Sequence, residues 1–199
     1  MDKSTQNELI SHYRDLFLSY GDTPEAVQMS EEGQRFRFEK LTQIADLQGK
    51  SILDVGCGIG HLYSYLLSKL GAVDYTGVDV IKESVAYASQ KYPEARFICR
   101  DILREDLDMK FDYVLINVVF NNAIPNCTDF LKELTSAGYQ YCKLGLAFNF
   151  ISTFVNVREE EMAYHDPSIV LEYCLNNLSR KVTLHHWYER CDVAVFVYR

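Results

Sequence analysis

The pattern of apolar and polar positions changes character at Ser51. Ahead of it, apolar residues recur at spacings of three and four. Leu9, Tyr13, Leu16, Phe17 and Tyr20 form one such stripe, and Phe38, Leu41, Ile44 and Ala45 form another. That period predicts a helix over residues 4–20 and a second from Ser30 to the Gln48-Gly49-Lys50 break. Ser30 suits an N-cap, with Glu31 and Glu32 at the positive helix end. Between the two, Gly21-Asp22-Thr23-Pro24 is a break, and Pro24 suits the first turn of a short helix through Gln28.

From Ser51 onward, short apolar runs alternate with helical patterns. Strands are predicted over Ser51–Val55, Tyr75–Val78, Arg96–Cys99, Tyr113–Asn117, Leu144–Ile151, Lys181–Trp187 and Val193–Tyr198. Helices are predicted over His61–Leu70, Lys82–Lys91, Thr128–Cys142 and Ser168–Leu178. This alternation predicts a parallel sheet with helices on both faces. Only Tyr188-Glu189-Arg190-Cys191-Asp192 joins the last two strands, too little for a crossover helix, so that pair must be antiparallel. The expected fold is α/β: a doubly wound, seven-stranded, mostly parallel sheet with the last strand reversed and an N-terminal helical cap. One domain is expected over residues 1–199, with 1–49 as the cap and 50–199 as the core, because the segment before Ser51 is too small to fold alone.

Composition narrows the partners. The chain has 199 residues, 48% of them hydrophobic, and a net charge of −8. Its pI is about 5.1 and its mean hydropathy −0.15. An acidic surface repels phosphate backbones, and Lys and Arg are scattered, so a nucleic acid partner is disfavoured. No apolar run has the length of a membrane span or of a secretory signal. The six cysteines show neither C-x-x-C spacing nor zinc-finger spacing. Free thiols in a cytoplasmic protein are expected, with no metal site.

The chemistry gathers at predicted strand ends. Asp54 heads a turn with glycine at 56, 58 and 60, placed between a strand and a helix. Glycine permits positive φ and lets a ligand reach bare backbone, and the next helix directs free N–H groups at it. Asp79, Asp101 and Asn117 follow at the ends of the next three strands, on the edge where parallel α/β sheets bind ligands. An acid 23 residues beyond Gly56 suits a ribose. Asp101 suits an exocyclic amine, with the Ile102 N–H for a ring nitrogen. Asp54 favours a cationic ligand group over a pyrophosphate.

Together these residues resemble the class I S-adenosylmethionine-dependent methyltransferases. Asp54-Val55-Gly56-Cys57-Gly58-Ile59-Gly60 matches the family's D-x-G-x-G-x-G signature, Asp79 and Asp101 its next two motifs, and Phe111–Asn117 its fourth-strand motif. The resemblance covers about residues 50–199 and includes the reversed last strand. It implies S-adenosyl-L-methionine as cofactor. Gly56, Cys57, Gly58 and Gly60 would cradle the methionine part, with Asp54 near the sulfonium. Asp79 with Val80 would hold the ribose, and Asp101 with Ile102 the adenine. Asn117 and Val118 would lie near the methyl donor. Arg37 would meet the cofactor's carboxylate, and Tyr13 and Tyr20 fall in the region that caps the pocket.

The acceptor side is less defined. Val118 to Pro125 lacks the [DNS]-P-P-[FYW] pattern of methyltransferases acting on nucleic acid bases and some amides. Asn121 and Asn122 are placed as substrate contacts, with Tyr164 from the long loop Ser152–Pro167. His165, in the same loop, is the best-placed histidine for a general base. The sulfonium is already an excellent leaving group, so a dedicated base is not required. The expected reaction is in-line methyl transfer to nitrogen or oxygen of a small molecule, rather than to carbon or sulfur. One alternative is a nicotinamide-dependent oxidoreductase, but its G-x-G-x-x-G would need glycine where His61 or Tyr63 stands. A second is a non-catalytic, cofactor-binding regulatory partner. Oligomeric state is not encoded in any feature of the sequence.

Overall fold

In the computed structural model, residues 3–187 and 191–199 are described. The sheet has seven strands: β1 (Ser51–Val55), β2 (Asp74–Asp79), β3 (Arg96–Cys99), β4 (Phe111–Ile116), β5 (Cys142–Ile151), β6 (Val182–Trp187) and β7 (Asp192–Tyr198). Their order is β3-β2-β1-β4-β5-β7-β6. The pairs from β3 through β5 are parallel, and β7 runs antiparallel to both β5 and β6. The reversed last strand expected from the short link is thus present. The link at Tyr188–Arg190 lies outside the described residues.

Helices cover both faces: α1 (Lys3–Tyr20), α2 (Glu31–Leu41), α3 (His61–Leu70), α4 (Lys82–Lys91), α5 (Cys127–Tyr141) and α6 (Pro167–Asn177). Strand alternation divides the core in two. Leu53, Val114, Ile116 and Phe148 pack with Phe130, Leu131 and Val170 on one face. Ile52, Leu115, Ala147 and Phe196 pack with Leu41, Leu62 and Leu66 on the other. Most of the central strand positions are buried, as sequences covered on two sides require.

Helix ends follow local chemistry. Ser30 caps α2 by accepting from Gly33 N, and Asp166 caps α6 by accepting from Ser168 N. Two expectations shift. The stripe through Ile44 is real, but α2 ends at Leu41 and a 3-10 turn over Thr42–Ile44 carries Ile44 inward. The short helix at Pro24 is a 3-10 turn over Pro24–Val27, closed by Gln28 at φ 56°.

The chain passes from β1 outward through β2 to β3, then returns to the other side of β1 as β4. The crevice between the C-terminal ends of β1 and β4 is therefore a topological switch point, the usual ligand position in such sheets.

Candidate active site

A cavity opens at this switch point, and its floor is the glycine turn after β1. Gly56, Gly58 and Gly60 take φ of 77°, 52° and 85°, a region that strongly favours glycine. A side chain at Gly56 would overlap Val119 Cγ2. At Gly58 the only atom within reach of an added Cβ is Val27 Cγ1, 3.9 Å away, so the backbone there stays open for a ligand. The turn is held by its neighbour strand: Gly56 N and Cys57 N both donate to Val78 O, at 2.8 and 3.1 Å.

Asp79 ties the end of β2 into the same turn. Its Oδ2 accepts from Gly58 N at 2.8 Å and its Oδ1 from Ile81 N at 2.9 Å. Burial raises its pKa against the pull of those N–H donors. Asp54 is 2% exposed and accepts from the Tyr75 hydroxyl. Desolvation pushes its pKa up to about 7, despite the hydrogen bond, and the nearby Asp79 adds to the rise. Two desolvated carboxyl groups lining one cavity make a site that gains from a cationic ligand.

The third acid comes from the segment after β3. Asp101 Oδ1 accepts from Leu103 N at 3.0 Å, and its Oδ2 accepts from Gln6 Nε2 of α1 at 2.8 Å. Farther along α1, the Tyr13 hydroxyl meets Asn122 Oδ1 beyond β4, and burial raises Tyr13 to about 12. Phe17 stacks edge-on against Tyr87 of α4, with centroids 5.4 Å apart. No residue of α1 is fully buried, and the helix lies over the cavity with Gln6, Leu9, Ile10, Tyr13 and Phe17 in its wall.

At the end of β4, Val118 has φ 63°, a strained value for a β-branched residue. Its N–H donates to Asn149 Oδ1 of β5 at 2.6 Å, and Asn149 Nδ2 donates to Asn117 Oδ1 at 2.7 Å. On the opposite wall, Gln34 Nε2 lies 3.0 Å from His61 Nδ1, and His61 Nε2 lies 3.0 Å from Asp22 Oδ1. Burial lowers the His61 pKa, and the partners define its tautomer: Nε2–H donates to Asp22 and Nδ1 accepts from Gln34.

Of the residues singled out in the sequence, Tyr13, Asp54, Gly56, Cys57, Gly58, Asp79, Val80, Asp101, Ile102, Asn117, Val118 and Asn122 all line this one cavity. Six do not. Gly60 is not in the wall; it turns the chain into α3 under Phe97 and Tyr92. Arg37 points away and pairs with Asp192 of β7 at 3.0 Å. Tyr20, at the end of α1, is 52% exposed. The Asn121 side chain is buried, and its backbone carbonyl accepts from Ala163 N. Tyr164 accepts from Glu159 N within its own loop and lines a separate surface hollow. His165 is 1% exposed, with Nε2 3.0 Å from the Phe120 carbonyl, so its Nε2–H is engaged and burial lowers its pKa. The loop after β5 braces the segment bearing Asn122 through Ala123 N to Glu161 O, rather than covering the cavity. Sequence reading had not singled out Gln6, Gln34, His61 or Asn149 as site residues. His61 carried the one available signal, its place directly after the last glycine.

Among the described residues, no group of three or more His, Cys, Asp or Glu could hold a metal ion. No described helix is long and apolar enough to cross a membrane.

The strand order and the crevice at the switch point define a Rossmann-like architecture. Residues 52–137 match the profile of a methyltransferase domain. A Mycobacterium tuberculosis protein designated a methyltransferase is 28% identical over 160 residues, covering 74% of this chain and 92% of that protein. The fatty-acid O-methyltransferase of Mycolicibacterium smegmatis is 32% identical over 132 residues, 60% of this chain, but the match spans only 47% of that relative's length. Among solved structures, magnesium protoporphyrin IX methyltransferase from Synechocystis PCC 6803 with bound S-adenosylhomocysteine shares the fold. Its TM-score is 0.66 at 16% identity, over 95% of this chain and 93% of that one. Residues 52–137 are thus similar to a methyltransferase domain, and the whole chain shares the fold of class I S-adenosylmethionine-dependent methyltransferases.

Proposed function

We propose that this enzyme methylates nitrogen or oxygen of a small, largely apolar molecule held between the glycine turn and α1. The observation that carries this reading is the composition of one cavity. Carboxyl groups from three successive strands or the segments after them meet bare glycine backbone there, and much of the remaining wall is apolar, including Leu9, Ile10, Phe17, Met29, Phe130 and Leu134, beside polar groups such as Gln34, His61, Arg100 and Asn117. The polar half suits a cationic nucleoside, and the apolar half suits the body of an acceptor.

The residues divide the work as follows. Gly56 and Gly58 bring backbone against the methionine part of the cofactor, and Asp54 faces its cationic groups. Asp79 has spare lone pairs for the ribose hydroxyls, because each oxygen spends one on a backbone N–H. Asp101 accepts from the adenine amine once Gln6 yields its place. Asn117 and Val118 border the point of transfer. When bound, S-adenosylmethionine supplies an activated methyl on a good leaving group. The protein's contribution is then alignment and exclusion of water, which α1 provides from above. His165 serves here as a pin between the loop after β5 and the segment after β4. The relatives' names support a small acceptor, and the net charge of −8 disfavours nucleic acid. A cytoplasmic setting goes with the unpaired spacing of the cysteines.

The test is transfer of labelled methyl to a panel of apolar acids, alcohols and amines, beside RNA, DNA and protein acceptors. Labelling confined to small molecules is expected. Labelling of a macromolecule alone would overturn the reading.

A further inference from the structure

The amide chain at the end of β4 has a polarity that one backbone group decides. Val118 N–H can only donate, so the Asn149 atom 2.6 Å from it is Oδ1. Asn149 Nδ2 is then the atom facing Asn117 at 2.7 Å, and what it faces must be an acceptor, Asn117 Oδ1. Asn117 Nδ2 is left without a partner among the described residues, on a side chain that lines the cavity. Asn149 is 5% exposed, so reversing the chain would set its amide N–H against the half-buried Val118 N–H and leave that donor without an acceptor. Asn117 therefore offers the cavity wall an unpartnered N–H donor, beside the point of transfer proposed above.

We infer that Asn149 is a positioning residue that fixes Asn117 as a donor, and that the cavity thereby selects an acceptor arriving as an anionic oxygen, a carboxylate on an apolar body. This rests on the methyl-transfer reading above and narrows its acceptor.

Two neighbouring side chains agree, while the carboxyl groups of Asp54, Asp79 and Asp101 on the same cavity are the ones given above to the cofactor. Tyr13, the titratable cavity side chain bonded to the segment after β4, stays protonated, since burial raises it to about 12. His165 is engaged by the Phe120 carbonyl and does not line the cavity. An amine would arrive as an ammonium, would need to lose a proton, and would meet an N–H. A carboxylate needs no base. Its oxygen forms the new O–C bond as the S–C bond breaks and the electron pair returns to sulfur. The product is a neutral ester, and no proton is left over.

Calorimetric titration of the full chain, saturated with S-adenosylhomocysteine, with decanoate and decylamine as probes tests this without turnover. Decanoate should bind at least about tenfold tighter. Asn117→Asp places an acceptor oxygen where the donor stood. Asn149→Asp still accepts from Val118 N–H, but its other oxygen obliges Asn117 to turn Nδ2 toward it and show Oδ1 to the cavity. Both variants should invert the preference by about tenfold or more, and Asn149→Asp, which lies outside the cavity wall, should keep S-adenosylhomocysteine affinity within about twofold of the parent. Asn149 has no place in the cavity wall, so a merely structural role would weaken both probes together. Asn117→Asp, on the cavity wall, carries the test if the buried Asn149→Asp does not fold. A parent that prefers decylamine, or an Asn117→Asp variant with the parent's preference, would overturn the inference. A folded parent that fails to bind S-adenosylhomocysteine would instead remove the methyl-transfer reading, and this one with it.

Discussion

Asp79 holds the turn with both of its oxygens, each accepting one backbone N–H, and in the proposed function the same two oxygens are offered to the ribose. The glycines are as constrained. Gly56→Ala would force φ near 77° on a residue with a Cβ and press it into Val119. The expected loss is about 2 kcal/mol or more, read by chemical denaturation. His165 gives a contrasting prediction. His165→Phe should cost about 1–3 kcal/mol, by stranding the Phe120 carbonyl. The pH–rate profile of such a variant should keep the parent's shape; a lost ionisation near neutrality would show that His165 takes part in proton transfer. The glycines and acids were legible in the sequence because each is fixed by its own strand end. Gln34, Asn149 and Gln6 were not. Their partners lie 27, 32 and 95 residues away, and only the closed sheet and the docked cap bring them together.

Among the elements, α1 is the one whose anchoring differs. Its stripe was legible from the period of Leu9, Tyr13 and Phe17, but the same pattern in a core helix would bury residues fully, and here none is. The helix is held by Gln6 on Asp101, Tyr13 on Asn122 and Phe17 on Tyr87. Such an element belongs at the low-stability end of the molecule. Amide hydrogen exchange should therefore be faster in α1 than in β1 or β4, and should slow in α1 when S-adenosylhomocysteine binds. Equal exchange with and without ligand would remove its role as a cap. Strand existence and the terminal reversal were read correctly from spacing alone. Some boundaries moved by a residue where a cap decided them, as at Pro167, while the end of α2 moved furthest, from the expected break at Gln48 back to Leu41, where a 3-10 turn takes over.

At the scale of the whole molecule, charge is the governing quantity. The chain carries −8 overall and concentrates desolvated carboxyl groups at the crevice. The folded pKa of Asp54 is raised to about 7, so folding favours its protonated form. Its contribution to the stability of the ligand-free protein is full below about pH 4, and is lost as pH rises to about 7. A cationic ligand reverses the preference by favouring the carboxylate. Affinity for S-adenosylmethionine should thus weaken as pH falls from about 7 to about 5.5, by up to about tenfold per unit. Asp54→Asn should flatten that dependence.

The central requirement is that the cofactor occupies this cavity against Asp79. Isothermal titration of the intact chain with S-adenosylhomocysteine, repeated on Asp79→Ala with circular dichroism to verify the fold, measures it. Saturable one-site binding is predicted for the parent, weakened at least about tenfold in the variant through loss of a charge-assisted ribose contact. A folded variant that binds as tightly as the parent, or a folded parent that gives no binding, would contradict it.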